Sequence, residues 1–397
     1  MGIVSALGAN LAETWSSLVQ GKSGISAIQL LDASKLRFQN GAEVHGYVPE
    51  QHFEQSQIDM MDRFAQFAVL AARQALADSG LKIVPETAGK IAVVTGSCVG
   101  GQTTADNAFV NLYHKNSPRV HPLIIPRTMA NAGASHISME FGISGPAFTV
   151  TTACSSANHA MGQAFWMVRS GQVDAAVTGG SEAPFSLGLL KSWEAMRVVS
   201  HDTCRPFSRD RRGLILGEGA AMLILEPMEK ALNRGARIYG EIVGFGMSSD
   251  AGHITSPTLH GPVSAIRAAL SDAQLAPEQI GYINAHGTGT QTNDATETKA
   301  IREVFGKHAD KLAVSSTKSM HGHALGAAGA LEAVATVMAM REKIIPPTAN
   351  YTTPDPECDL DVVPNQARPA EIEFSLSNSF AFGGLNAVVA FKKAQNT

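Results

Sequence analysis

Between Pro146 and Arg169 the chain changes its hydrophobic period at a single residue, and this limits the possible folds more than any other stretch. Pro146-Ala147-Phe148-Thr149-Val150-Thr151-Thr152-Ala153 is rich in β-branched and aromatic residues, which suit a strand. From Ser155 onward the apolar residues at 157, 160, 161, 164, 165 and 168 follow helical spacing, and Gly171 closes the helix. Only Cys154 stands between the two patterns. A strand is therefore expected to turn directly into a helix with Cys154 at the corner.

Other segments repeat this alternation. Lys90–Thr95, Val173–Thr178, Ala220–Leu225 and Ala387–Phe391 read as buried strands, the first two ending on glycines. Phe64–Ser79, stopped by Gly80, and Val263–Ala273 read as amphipathic helices. Strands alternating with helices predict an α/β fold with helices packed on sheets. One strand-turn-helix element bears Cys154, and similar elements after about Gly244 bear histidines. Two similar halves are expected, divided between Glu226 and Gly244, with residues 1–240 as one half and 241–397 as the other.

With 44% hydrophobic and 17% charged residues in 397, the chain can bury a large core and does not read as disordered. A net charge of -4 gives no global basic field for nucleic acid. No apolar run reaches the roughly 18 residues of a membrane span. The segment Met1–Gly8 lacks the basic start and apolar core of a signal peptide. The cysteines at 98, 154, 204 and 358 form no CxxC pair, so a reducing, cytoplasmic setting is expected.

At a helix start, unpaired backbone N–H groups favour a thiolate, and a thiolate there can attack a thioester. An arbitrary free cysteine is more often an inert core residue, and the sharp corner with its small residues brings the two readings level. Tyr282-Ile283-Asn284-Ala285-His286-Gly287-Thr288-Gly289-Thr290 places a histidine just past an apolar strand, in a loop open to a ligand. Val314-Ser315-Ser316-Thr317-Lys318-Ser319-Met320-His321-Gly322-His323 precedes a helix of small residues that begins near Ala324. The dipole of that helix is expected to keep His323 neutral, able to donate a hydrogen bond to an oxyanion. The turn Asn378–Asn386 can present a backbone N–H to an oxyanion. The three histidines also allow a metal cluster, although no acidic ligand motif lies nearby. Gly96–Gly101 lacks the spacing of a dinucleotide fingerprint.

Taken in order, Thr152-Ala153-Cys154-Ser155-Ser156, Asn284–Thr290, Lys318–His323 and Asn378–Gly384 resemble the Cys-His-His elongating β-ketoacyl-acyl-carrier-protein synthases, closest to the type II class. Arg205–Ser208 and Gly244–Ala251 agree, and the resemblance spans essentially the whole chain. It implies a thiolase-like fold, two similar α/β halves in a five-layered α-β-α-β-α core, usually dimeric. It implies that Cys154 takes an acyl group from carrier-protein phosphopantetheine. Malonyl-carrier protein then loses carbon dioxide, and its carbanion attacks the acyl-enzyme. His286 and His323 would stabilise the enolate, and the N–H groups of Cys154 and Phe382 would form the oxyanion hole. Lys318 and Glu332 match positions that order the histidines. Thr288, Thr290 and Thr255 match pantetheine contacts. Phe380 is placed with the substrate-binding residues, and Phe382 matches the gating phenylalanine. The resemblance implies no nucleotide or catalytic metal, and a structural monovalent cation is common in the family.

Several positions depart from the pattern. Relatives have a β-strand before the glycine-rich turn; here Met1 falls inside that turn, so the strand is expected to be missing or the start to be late. His321 replaces a usual Thr, and the glycine register assigns the role to His323. Asp59 and Met60 replace basic carrier-docking residues, leaving Arg119, Arg127 or Arg197 as candidates. Trp193 and Val99 fall among acyl-pocket positions, Ala381 replaces a glycine beside the gate, and Leu123–Ile125 is expected to reach a partner's pocket. These changes keep a specialised polyketide, polyene or nodulation-type chain open beside fatty-acid elongation. A coenzyme A thiolase would need a second cysteine where Ala381–Gly384 has none. A chain-length-factor subunit would lack the nucleophile, yet the chain could be the active half of a heterodimer with one.

Overall fold

The structure is a computed structural model that describes residues 1–115 and 117–394. Two five-stranded sheets carry the fold. The first contains β1 (Gly2–Ser5), β2 (Ile91–Gly96), β3 (Ala147–Val150), β4 (Ala175–Glu182) and β5 (Gly219–Leu225). The second contains β6 (Gly240–Ser249), β7 (Ile280–Asn284), β8 (Ala313–Ser315), β9 (Phe374–Ala381) and β10 (Leu385–Lys393). Numbered within its own half, each sheet has the strand order 1-5-4-2-3. Strands 1 and 5, and 5 and 4, are antiparallel; strands 4 and 2, and 2 and 3, are parallel. The halves are thus topological copies.

Helices fill the other three layers. Outer helix α1 (Arg63–Ser79) packs on β1 and β5, capped by Asp62 and stopped by Gly80 in the left-handed conformation. On the far side α4 (His260–Ala273) covers β6 and β10. The middle layer is α3 (Ser156–Arg169) and α6 (Ala328–Glu342), which touch both sheets. Every residue of α6 from Ala328 to Met340 is buried, as a helix enclosed on all sides requires. Its small residues permit that enclosure. A Cβ on Gly329 would lie 2.2 Å from the Asn158 Oδ1 on α3. Asn158 in turn donates to the carbonyls of Ser377 and Ala387, fastening the middle layer to the second sheet.

One expectation fails. Gly2–Ser5 is a strand, fully buried and paired with Gly219–Met222, so the first sheet does have its first strand. Its four residues carry no alternating pattern, since helix α1 covers one face and the middle layer the other. The backbone of α1 comes so near that a Cβ on Gly2 would meet the Ala71 carbonyl at 2.0 Å. The Met1 ammonium ends the strand in an ion pair with Asp78 at 2.7 Å.

The nucleophile corner depends on a similar approach. A Cβ on Gly96, at the end of β2, would sit 2.4 Å from the Ala157 nitrogen in the first turn of α3. Gly96→Ala is therefore expected to cost about 1–3 kcal/mol through overpacking. Urea unfolding checks this; an unchanged midpoint would mean the strand and helix separate freely.

Candidate active site

The corner forms as the sequence requires. Strand β3 ends at Val150, Ala153 takes a left-handed conformation with φ of 52°, and α3 begins at Ser156. A positive φ at a non-glycine residue costs about 1–3 kcal/mol and persists only where the surroundings enforce it. Here two hydroxyls do so. Ser155 Oγ donates to the Thr152 carbonyl at 2.8 Å, and Ser156 Oγ donates to the Ala153 carbonyl at 2.6 Å. The Thr152 N–H donates back to Ser156 Oγ at 2.9 Å. Cys154 is held at the apex with its Sγ facing the backbone N–H groups of Phe382 and of Cys154 itself.

The second half supplies the histidines. His286 follows β7, and its backbone N–H and that of Gly287 donate to the two oxygens of buried Glu297, each at 2.8 Å. His323 lies between β8 and α6, its backbone N–H bonded to Ile215. The rings stand edge to face with centroids 5.5 Å apart. One nitrogen of each ring and the Cys154 Sγ all lie within 4.8 Å of one another. His321 points elsewhere, to Thr317 Oγ1 and the Gly322 carbonyl. The glycine register thus selects the histidine that reaches the cysteine.

Lys318 sits behind the rings, completely buried. Its Nζ donates to the His286 carbonyl at 2.7 Å, lies 3.4 Å from His286 Nδ1 and forms an ion pair with Glu332 on α6. Burial and then the Lys318 ammonium hold both His286 and His323 well below the ordinary imidazole range. The helix dipole expected at His323 is not the cause: α6 begins only at Ala328, after a short 3-10 turn at Leu325–Ala327. His323 Nδ1 accepts the Leu325 N–H at 3.2 Å, and His286 Nδ1 faces an ammonium. Each ring therefore keeps its proton on Nε2 and is a donor there. This suits an oxyanion better than a metal ion, which needs an unprotonated nitrogen.

The thiol expectation needs a correction. Burial pushes Cys154 up to about 11, and Glu182 adds to the rise; Lys318 and the two backbone N–H groups oppose it but do not overcome it. Desolvation of a thiolate outweighs the corner's N–H groups.

A cavity of about 120 Å³ leads to Cys154, His286 and His323. Thr288 and Thr290, whose hydroxyls are 2.9 Å apart, line one wall, and Thr255 lines the mouth beside His253. Phe380, Phe382 and Trp193 complete the apolar side. Trp193 stacks on Phe382 with centroids 6.1 Å apart and planes 25° from parallel. Val99 does not line this cavity but packs in the same apolar cluster as Trp193 and Phe382. Lys318 and Glu332 stand behind the site.

Several buried acids escaped the sequence reading, Glu297 and Glu182 among them. Glu297 shares the apolar stripe of the helix Gln291–Phe305 with Asp294 and Ile301, and acids on a buried stripe were the available signal. Glu182 ends a fully buried strand.

The raised thiol predicts a titration. Alkylation of Cys154 by iodoacetamide should climb about tenfold per pH unit from pH 7 to 10. A plateau near pH 8 would mean the thiolate is stabilised instead.

Comparison with known proteins completes the picture. Residues 1–231 match the family described as beta-ketoacyl synthase, N-terminal domain, and residues 239–352 match beta-ketoacyl synthase, C-terminal domain. Nodulation protein E of Rhizobium sp. (strain N33) is 46% identical over 393 residues, 99% of this chain and 98% of the relative. 3-Oxoacyl-[acyl-carrier-protein] synthase 2 of Synechocystis sp. (strain ATCC 27184 / PCC 6803 / Kazusa) is 44% identical, covering 100% of this chain and 97% of the relative. Among solved structures, the ishigamide ketosynthase/chain length factor superposes with a TM-score of 0.95 at 37% identity, over 99% of this chain and 98% of the other.

Proposed function

The chain belongs to the β-ketoacyl synthase family, and we propose that it lengthens a carrier-protein-bound acyl chain by decarboxylative condensation on Cys154. The observation that carries this reading is the convergence of one thiol and two neutral, donating histidines within 4.8 Å. In loading, Cys154 Sγ attacks the acyl thioester carbonyl, the pantetheine C–S bond breaks, and the thiol proton leaves with the pantetheine sulfur. In the second half, the malonyl C–C bond breaks and carbon dioxide departs. Its electron pair forms an enolate whose oxygen takes hydrogen bonds from Nε2–H of His286 and His323. The enolate carbon attacks the acyl-cysteine. The resulting oxyanion is held by the N–H groups of Cys154 and Phe382 and collapses with loss of the Cys154 thiolate, which takes up a proton. Thr255, Thr288 and Thr290 offer hydroxyls to the pantetheine arm, and Phe380 and Phe382 wall the acyl end.

A monovalent cation fits behind the histidines. Among the described residues Asn284 Oδ1, Glu332 Oε2, Ser377 Oγ and Asn378 Oδ1 are buried oxygens without a hydrogen-bond partner, and Asn284 pairs with Ser377 across β7 and β9. Hard oxygen donors suit such an ion. It would neutralise part of the acidic charge and fix the strands that carry His286 and Phe382.

The partners follow from the surface. Among the described residues strand β3 is a free, partly exposed sheet edge with Phe148 exposed on it, and Phe109, Tyr113 and Ile125 are exposed on helical segments that precede it in the chain. We assign this face to dimerisation, with a second copy or with a chain-length-factor-like subunit; native mass of the purified chain alone should be that of a dimer in the first case. Asp59 and Met60 are exposed, as are Arg119 and Arg197, while Arg127 is half-buried. The carrier protein would dock against these arginines. The missing docking cations, Trp193 and the likeness to nodulation protein E favour a specialised acyl chain over housekeeping elongation.

Incubation with an acyl-carrier protein should add one acyl mass to the Cys154 peptide. His323→Ala should lose malonyl decarboxylation by about 100-fold or more, and His321→Ala should retain it. Labelling of another residue, or the reverse histidine pattern, would overturn the assignment.

A further inference from the structure

We propose that Glu182 is a positioning residue that couples the acyl side of the site to the malonyl side, an inference that rests on the condensing reaction above. Glu182 is the last residue of β4 and is fully buried. It forms no ion pair among the described residues, and the reaction as written does not use it. Four donors converge on its carboxylate. Oε1 accepts from Ser97 Oγ at 3.0 Å and from the Val99 N–H at 3.2 Å; Oε2 accepts from the Cys98 N–H at 2.6 Å and the Gly326 N–H at 2.9 Å. An ionised carboxylate is acceptor-only with room for about four bonds. This shell matches that form, since three of the four donors are backbone N–H groups that cannot turn into acceptors.

The donors come from opposite sides of the reaction. Ser97, Cys98 and Val99 belong to the loop after β2, and Cys98 and Val99 pack against the cluster of Trp193 and Phe382 on the acyl side. Gly326 belongs to the turn after His323. The N–H of Leu325, its neighbour in that turn, donates to His323 Nδ1 and sets which ring nitrogen carries the proton. One carboxylate thus fixes a loop behind the acyl chain and the turn that orients a histidine on the malonyl oxygen. No substitute is accommodated at the contact. A Cβ on Gly326 would lie 2.7 Å from Glu182 Oε2 and 2.3 Å from the Cys98 nitrogen. Glu182 also faces the nucleophile electrostatically. Together with Lys318 it is one of the charged groups acting on Cys154.

Glu182→Gln keeps the shape but turns an amide NH₂ toward two of these donors; the Ser97 hydroxyl can turn to accept and a backbone N–H cannot, so at least one of the four bonds must be lost. Malonyl-carrier-protein decarboxylation is expected to fall about 10- to 100-fold in kcat, with KM within about twofold, because the histidine is misplaced while pantetheine contacts remain. The pH midpoint of Cys154 alkylation should drop below that of the wild type, since a negative charge is removed. Glu182→Asp keeps the charge but not the reach; it should keep the wild-type midpoint and still lose turnover. A purely structural role would lower the urea midpoint yet leave turnover per folded molecule and the thiol midpoint unchanged, and that result would overturn the proposal. Should Glu182→Gln fail to fold, Glu182→Asp decides: wild-type turnover sinks the idea, and reduced turnover at an unchanged thiol midpoint supports it. A wild-type protein that does not decarboxylate malonyl-carrier protein would refute the condensing reading instead. The thiol titration reports on Glu182 regardless of the reaction.

Discussion

The Lys318 ammonium, enclosed between the two halves with its partner Glu332, is the charge on which the rest of the site depends. Breaking a pair of this kind leaves a lone buried charge at a cost of about 3–5 kcal/mol, so neither member can change alone. Its influence reaches further than its ion pair. The ammonium lies against His286 and lowers the proton affinity of both reacting histidines, which burial has already reduced. It lowers the proton affinity of the Cys154 thiol as well, but there it works against burial rather than with it. A single cation therefore keeps imidazoles neutral and opposes the desolvation of a thiol, the combination that a thioester-exchanging site needs. Glu332 is itself pushed up to about 7 by burial, and its second oxygen has no hydrogen-bond partner among the described residues.

The duplicated sheets explain why these groups meet. In each half the third strand leads to a middle-layer helix: β3 to α3, and β8 to α6. Cys154 stands at the first junction, and Lys318 to His323 fill the second. His286 follows the second strand of its half, at the place that Ser97 to Val99 occupy in the other. The parallel strands of both sheets point their carboxyl ends at one crevice, where ligands of open α/β sheets bind. The halves share a geometry and differ in chemistry: one gives the nucleophile and Trp193, the other gives Lys318, the two histidines and the phenylalanines Phe380 and Phe382. The middle layer must be thin for the two to meet across it, and Gly329 and Gly96 supply that thinness through contacts that a methyl group would block.

Much of this was legible in the chain. The change of period at Cys154 placed the corner, because β-branched and aromatic residues give way there to helical spacing. His286 was readable as the residue after an apolar strand, and Gly322 set the register that separates His323 from His321. Strand β1 was not legible: covered on both faces, its residues show neither alternation nor a helical period. The thiol was misjudged from sequence, and the neutrality expected at His323 holds for a different cause. Local rules assign helix dipoles to Cys154 and His323, whereas burial by residues distant in the chain decides both. Glu182 and Glu297 look like ordinary acids until the loops that bond to them are folded around them.

The raised thiol changes how the nucleophile should be understood. A low resting pKa would mark a cysteine already charged, whose N–H partners are spent on its own sulfur. Burial keeps Cys154 largely protonated, so the N–H groups of Cys154 and Phe382 meet no full charge until a carbonyl oxygen becomes one. The same burial makes the sulfur a reluctant leaving group, since a thiolate of high pKa departs slowly. An acyl chain placed on Cys154 then resists loss to water until a strong carbon nucleophile forms beside it. In the proposed reaction that nucleophile arises when His286 and His323 hold the malonyl oxygen. The turn orienting His323 is bonded to Glu182, the carboxylate that also bonds the loop behind the acyl chain. Retention of the acyl group and generation of its attacker thus rest on one buried polar frame spanning both halves.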